Sequence, residues 1–157
     1  MSVGLLLLLL VGASDADPYF VGVEGDYELR RIPGKVCVLK GRHNNPTTIE
    51  IARPSDTNLV VLGLNNPAWA SLQEGQKVPL EYVSGLRKKS VLAEARVAST
   101  PMLSFSMDES DFNKDLAKGE IVIKKAAEVL FAFSMTWQEA FALHACADGN
   151  RDPFAKP

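Results

Sequence analysis

Short runs in which apolar and polar residues alternate recur along most of this chain. An alternation with a period of two places the apolar side chains on one face of a β-strand, as in Thr48-Ile49-Glu50-Ile51. The runs that we interpret as strands are Val36–Leu39, Thr48–Ile51, Leu59–Leu64, Val78–Tyr82, Val91–Val97, Leu103–Met107, Ile121–Ile123 and Val129–Phe133. Turn-forming residues, including Pro33-Gly34 and Asn65-Asn66-Pro67, separate them.

Two of these runs carry specific expectations. Pro79 lies inside the run Val78–Tyr82, and because proline cannot donate to a strand ladder we expect this strand at a sheet edge. In the last run, the alternation places Val129, Phe131 and Phe133 together on the inward face.

Two segments predict helices. Asp108 is a suitable N-cap for a helix over Glu109–Lys118. Thr136 and Glu139 form a capping box in front of a second helix, which runs from Trp137 to about Cys146.

The second helix is apolar on more than one side. Trp137, Phe141 and His144 fall on one stripe, and Leu143 with several alanines covers most of the remaining surface. We therefore expect this helix to be almost completely buried. Cys146 falls nearly opposite Trp137 on an ideal helix.

Together these elements predict a single domain over residues 17–150. The expected fold is mainly β (α+β): an antiparallel β-sandwich or a partly open barrel with a packed C-terminal helix. The pattern does not determine the order of the strands. Residues 151–157 are expected to form a flexible tail.

The N-terminus has the pattern of a signal peptide. Residues Val3–Val11 are almost uninterruptedly apolar, and a helix through them spans only about half of a ~30 Å hydrocarbon core. Small residues follow, so that cleavage after Ala16, with Ser14 at the third position, or after Ala13 fits the signal peptidase requirement. We therefore predict that residues 1–16 are removed on export.

The charge of the remaining domain gives no reason to expect a nucleic-acid or anionic-membrane partner. The full chain has 17 Lys and Arg against 19 Asp and Glu, and loss of Asp15 with the leader brings the net charge to about −1. No other apolar run is long enough to span a membrane.

The chain has two cysteines, Cys37 and Cys146. In an oxidising compartment an isolated pair predicts one disulfide, although two buried thiols remain an alternative. With the leader, this pair indicates a periplasmic or secreted protein.

No combination of residues identifies a reaction. His43 lies in a polar turn and His144 on the apolar helix, so the two histidines do not suggest a zinc site. Four acids, Asp108, Glu109, Asp111 and Asp115, lie within eight residues, and a helix N-terminus explains the first three of them. Because nucleophile elbows and phosphate-binding loops are also missing from the sequence, we assign no catalytic residue, metal or cofactor.

The most distinctive segment surrounds Trp69. A strand ends near Leu64, a turn carries the tryptophan, and Gly75 precedes the next strand. Trp69 either plugs one end of the β domain or is an exposed aromatic for binding. We take Trp69 and Tyr82 as candidate binding residues, because aromatic residues near turns can form an exposed apolar patch.

The arrangement resembles a group of small exported β-rich proteins of uncharacterised function from Gram-negative, alphaproteobacterial-like bacteria. The resemblance rests on the leader, on Cys37 in an early strand, on the terminal alanine-rich helix with Cys146, and on the segment Asn65-x-x-x-Trp69-x-Ser71-Leu72-x-x-Gly75-x-x-Val78. It transfers no functional residue to this chain.

These observations lead to one functional hypothesis and one alternative. We expect an exported, non-catalytic binding or structural module of the cell envelope, whose partner is a protein or another envelope component. The alternative is a hydrolase that acts on an envelope polymer through paired carboxylates, for example Asp108 and Asp111.

Overall fold

In the part of the chain that the structure describes, ten strands form a single antiparallel sheet. The computed structural model describes residues 20–32, 35–41 and 46–147. The strands are β1 (Phe20–Glu24), β2 (Tyr27–Ile32), β3 (Val36–Gly41), β4 (Thr48–Pro54), β5 (Leu59–Asn65), β6 (Lys77–Ser84), β7 (Arg87–Arg96), β8 (Met102–Asp108), β9 (Ile121–Lys125) and β10 (Glu128–Phe133). Within the described ranges, two helices, α1 (Glu109–Leu116) and α2 (Trp137–Ala147), accompany the sheet, and a short 3-10 turn covers Pro67–Trp69.

The strand order is β1-β2-β3-β4-β5-β8-β7-β6-β9-β10. The first five strands form a meander. β8 then pairs with β5, and the sheet continues in space through β7, β6, β9 and β10. The sheet curls strongly, since the Tyr27 hydroxyl in β2 donates to the Ser134 carbonyl just after β10 (3.3 Å). The sheet is not closed, and the predicted fold, an α+β sandwich with a C-terminal helix, is confirmed.

One face of the curled sheet forms a continuous hydrophobic core. Its strand residues include Tyr27, Leu29, Leu39, Ile49, Ile51, Leu62, Leu64, Leu80, Tyr82, Leu103, Phe105, Ile121, Ile123 and Phe133. Full burial of each such side chain is worth about 1.5–3 kcal/mol before entropy is counted. The core therefore fixes the register of the strands, since a shift by one residue would expose it.

The prediction that Pro79 lies in an edge strand is wrong. β6 lies between β7 and β9, but β9 pairs only with the segment from Glu81 to Ser84. Pro79 lies beyond the end of β9, so no ladder bond is needed on that side. β6 is an internal strand, but its first part, which contains Pro79, has no neighbouring strand on the β9 side, and a proline is tolerated there.

The predicted alternation in the last strand is also wrong at one position. The pairing of β10 with β9 shifts between Val129 and Phe131, which marks an irregularity of the β-bulge type. As a result Leu130 and Phe131 are both buried, whereas Val129 is exposed. An extra residue in one strand breaks the period of two, which a regular pattern does not anticipate.

Both predicted helix starts are confirmed. At α1, the Asp108 carboxylate accepts hydrogen bonds from the backbone amides of Ser110 (2.8 Å) and Asp111 (3.3 Å). At α2, the Thr136 hydroxyl accepts from the Glu139 amide (3.2 Å), and the Glu139 carboxylate accepts from the Thr136 amide (2.6 Å). These reciprocal bonds are a complete capping box.

α2 packs on the first four strands of the sheet. Its buried face includes Leu143 and Cys146, and Cys146 forms the predicted disulfide with Cys37 in β3, with Cα atoms 6.1 Å apart. The expectation that the whole helix is buried is wrong, because the stripe of Trp137, Phe141 and His144 faces solvent. A helix that packs on one side of a sheet can bury only one of its apolar faces.

Some predictions fall on residues outside the described ranges: the signal peptide over residues 1–16, the turns at Pro33-Gly34 and His43, and the tail over residues 151–157. In the part that is described, neither helix has the length and apolar character that crossing a membrane requires.

Candidate functional site

A groove with a volume of about 460 Å³ lies between the two helices. It is lined by α1, by the segment leading into α2, and by the exposed side of α2. The lining residues are Asn113, Leu116, Ala117, Met135, Thr136, Trp137, Ala140, Phe141 and His144. Most of this lining is apolar, and the volume lies within the usual range of small-molecule sites, about 300–1,000 Å³.

One wall of the groove is a stacked pair of aromatic rings. Trp137 and Phe141 have ring centroids 4.9 Å apart and planes inclined by 10°. The capping box starts the helix at Trp137, so that Phe141, four residues later, falls on the same face. Despite this stacking, 73% of Trp137 and 47% of Phe141 remain exposed. Large aromatic side chains that only pack within a fold are usually buried. Two that are exposed beside an apolar groove are typical of a contact surface.

The end of the groove nearest His144 carries a chain of three polar side chains. The Nδ1 atom of His144 lies 2.6 Å from Oε1 of Glu109, at the start of α1. The same oxygen accepts a hydrogen bond from Nε of Arg53 in β4 (2.9 Å). Because Arg53 and Glu109 are largely buried, their interaction is little screened by solvent, and it holds both helices to β4.

Three further contacts are made by Asp115 in α1. The Asp115 carboxylate is buried and lies 2.9 Å from Nζ of Lys118 and 3.5 Å from a guanidinium nitrogen of Arg87. The Ser84 hydroxyl donates to the Asp115 carbonyl (3.1 Å). The contacts with Ser84 and Arg87 attach α1, one wall of the groove, to the β6–β7 hairpin.

α2 is held at both of its ends. Glu139 is buried, and besides capping its own helix its carboxylate accepts from the Asp26 amide in the β1–β2 turn (3.1 Å). At the other end the disulfide of Cys146 joins the helix to β3. The exposed aromatic face therefore stands on a rigid support, which preorganises a site.

The structure does not bring together the two candidate binding residues from the sequence. Trp69 lies in the 3-10 turn, is partly buried and packs against the core. Tyr82 is only 1% exposed, and its ring meets Phe105 edge-on (6.3 Å between centroids). It therefore cannot contribute to an exposed patch, because its strand position points into the core. Neither residue lines the groove.

The surroundings of Tyr82 also affect its ionisation. Burial raises the pKa of the Tyr82 phenol well above its usual value, and the neighbouring Asp115 carboxylate raises it further. Burial likewise raises the pKa of Tyr27, assisted by Glu139. Both phenols are neutral core groups at physiological pH.

The acids considered for hydrolysis already have structural partners. Asp108 caps α1 through two backbone amides. Asp111 lies 3.7 Å from Arg87 and 3.9 Å from Lys114. Within residues 20–32, 35–41 and 46–147, no group of three or more His, Cys, Asp or Glu side chains is placed to hold a metal ion.

Sequence reasoning missed the groove because it treated the aromatic stripe as part of the core. The usable signal was present: α2 has two apolar faces, and Trp137, Phe141 and His144 follow one another at i, i+4 and i+7. This spacing is also that of an exposed recognition face. The contribution of Glu109 and Arg53 depends on tertiary contacts and left no sequence signal.

Comparison of the chain with protein-family models, with curated proteins and with solved structures gives no significant match. Function therefore has to be inferred from the site itself.

Proposed function

We propose that the protein is an exported, non-catalytic binding module of the cell envelope, whose ligand is a small amphiphile held in the groove between α1 and α2. The observation that carries this proposal is the stacked, exposed pair Trp137 and Phe141 on the wall of an apolar groove of about 460 Å³. An apolar ligand would cover the two rings and release water from them.

A small ligand suits this site better than a protein partner. In the helices, the large exposed apolar side chains are Trp137 and Phe141, and the others in the described residues lie on strands or turns. A stable protein interface buries about 800 Å² on each partner and surrounds its anchors with further contacts. Here the exposed apolar surface of the two helices is confined to a concave groove. The same helices also carry the exposed polar side chains of Lys114 and Gln138.

Export is part of the proposal. The apolar run Val3–Val11 and the small residues after it support a cleaved leader. The disulfide between Cys37 and Cys146 supports an oxidising compartment, periplasmic or extracellular. Intact-mass measurement of the protein from an exporting host tests this point: the mature chain should begin at Asp17, or at Ser14 as the second choice, and a retained Met1 would contradict export.

The fluorescence of Trp137 gives a direct test of binding. The chain has two tryptophans, so a Trp69→Phe variant reports on Trp137 alone. Titration with decanol should shift its emission to shorter wavelength and saturate, because the ligand replaces water around the indole. Phe141→Ala in this background should weaken binding about tenfold, equivalent to about 1.4 kcal/mol.

A matched control is Leu92→Ala, which removes an exposed apolar side chain of β7 that does not line the groove. Its binding curve should not change. Absence of a saturable shift with any medium-chain alcohol or acid would refute the proposed ligand class. Turnover of a decanoyl ester, lost in His144→Phe while the fold is retained, would instead show that the site is catalytic.

A further inference from the structure

The indole ring of Trp137 has one covered face and one open face. Phe141 lies about one helical turn further along α2, and the two rings are nearly parallel, with planes inclined by 10° and centroids 4.9 Å apart. Phe141 therefore covers the indole face that is directed toward the C-terminal end of the helix. Because 73% of Trp137 is exposed and the residue does not pack on the core, the other face of the ring is open.

The groove extends past this open face. Its lining includes Met135 and Thr136, which precede Trp137 in the chain, as well as Phe141, which follows it. The open face of the indole lies on the side of the helix N-terminus, where Met135 and Thr136 line the groove, and Leu116 lines the facing wall on α1. A ligand in the groove can therefore reach the free side of the stacked pair.

A flat and rigid body suits this place better than a hydrocarbon chain. Aromatic rings in offset stacks gain about two- to tenfold in affinity beyond the burial of their area. A saturated chain has no ring face to offer, and it also loses the rotational freedom of its bonds on binding. The groove, with its volume of about 460 Å³, lies within the size range of sites that enclose fused-ring ligands.

We propose that the apolar body of the ligand is a planar aromatic ring system, which stacks on the open face of Trp137 and so extends the pair of Trp137 and Phe141. This inference rests on the proposed function and adds the chemical class of the ligand's apolar part to it. Amphiphiles with alkyl bodies, such as decanol, bind in the same groove less tightly than an aromatic ligand of similar size.

Two alcohols with the same carbon skeleton test the inference by calorimetric titration of the native chain. Naphthalene-2-methanol has a planar aromatic body, and decahydronaphthalene-2-methanol is its saturated, puckered counterpart with the same hydroxyl group. Burial of apolar area alone gives the aromatic alcohol no advantage, because the saturated body has the larger apolar surface. We nevertheless expect the aromatic alcohol to bind about fivefold more tightly.

Substitutions of the indole should remove this preference. Trp137→Leu keeps an apolar side chain without a ring face, so the two alcohols should bind within about twofold of each other, whereas Trp137→Phe should retain part of the preference. Leu116→Ile is the matched control. It changes the shape of the facing wall at constant volume and removes no ring, so the ratio of the two affinities should stay the same.

Equal binding of the two alcohols to the native chain, or tighter binding of the saturated one, would overturn the inference and leave the proposed function standing. A fivefold preference that survives in Trp137→Leu would also overturn it, since another part of the groove would then recognise the ring. Failure of both alcohols and of decanol to bind would refute the proposed function itself.

Discussion

Gly25 in the β1–β2 turn lies against the carboxylate of Glu139 in the first turn of α2. A Cβ atom built at Gly25 would be only 3.0 Å from the carboxyl carbon of Glu139, and nearer still to its Oε1 atom. That carboxylate cannot easily move, because it is buried and holds the backbone amides of Asp26 and Thr136. The missing side chain at Gly25 thus lets the turn and the helix meet.

Replacement of this glycine should destabilise the protein through two separate effects. Gly25→Ala strains a backbone with φ of +55°, which costs about 1–2 kcal/mol, and it displaces the carboxylate of Glu139 from charge-assisted bonds worth about 1.5–3 kcal/mol each. Gly85→Ala is the matched control, since its φ is +56° and its nearest atoms lie 3.9 Å away. Urea denaturation should show the larger loss for Gly25→Ala. Equal losses would mean that the carboxylate moves away at little cost.

The disulfide should be formed in protein purified from an exporting host, and it should contribute strongly to stability. Cys37 and Cys146 are 109 residues apart, and closing so long a loop is worth about 4–5 kcal/mol in the entropic model, with observed losses of about 2–5 kcal/mol. Alkylation without reduction should label neither thiol. A reductant should lower the denaturation midpoint of the native chain and leave that of a Cys37→Ala, Cys146→Ala double variant unchanged. Labelling of the native protein would contradict the bond.

The sequence was informative where a local pattern decides the structure. The alternation around Glu50, the N-cap at Asp108, and the capping box of Thr136 and Glu139 all depend on residues within one turn or strand, and all were correct. The pairing of the only two cysteines also required no knowledge of the fold.

The errors arose where tertiary structure decides. No strand was predicted before Val36, because β2 carries Glu28, Arg30 and Arg31 and only Tyr27 and Leu29 mark its buried face. The β1–β2 hairpin is stabilised by neighbours far along the chain, which a local reading cannot supply.

The candidate site was the least predictable part of the molecule. Which apolar face of α2 remains exposed depends on how the helix docks on β1–β4. The convergence of Arg53, Glu109 and His144 joins residues from three elements separated by up to 91 positions in sequence. Neither relationship follows from residue spacing along the chain.

Removal of the carboxylate that Arg53 and His144 share should destabilise the protein even though the change is isosteric. Glu109→Gln takes a counter-charge from a largely buried guanidinium, for which we expect a loss of about 1–3 kcal/mol. Glu94→Gln is the control, because Glu94 pairs with Lys77 at the surface, and its effect should be much smaller and should vanish at high salt. Equal effects in thermal denaturation would show that the pair with Arg53 is no stronger than a surface pair.

The two buried tyrosines should make the protein unstable at alkaline pH. Burial raises the pKa of Tyr27 and Tyr82 above the ordinary value of 10.0, so below about pH 10 both phenols are neutral in the folded and unfolded states and contribute no pH dependence. Above this pH the unfolded chain releases protons that the folded chain retains. The free energy of unfolding should therefore fall as pH rises, by up to about 1.4 kcal/mol per pH unit for each phenol, until the folded protein also ionises.

Urea denaturation between about pH 8 and about pH 11 should show this decline, and a Tyr27→Phe, Tyr82→Phe double variant should show a shallower one. The titration of lysines is common to both proteins and cancels in the comparison, so that identical slopes would show that the two phenols do not resist ionisation in the folded state.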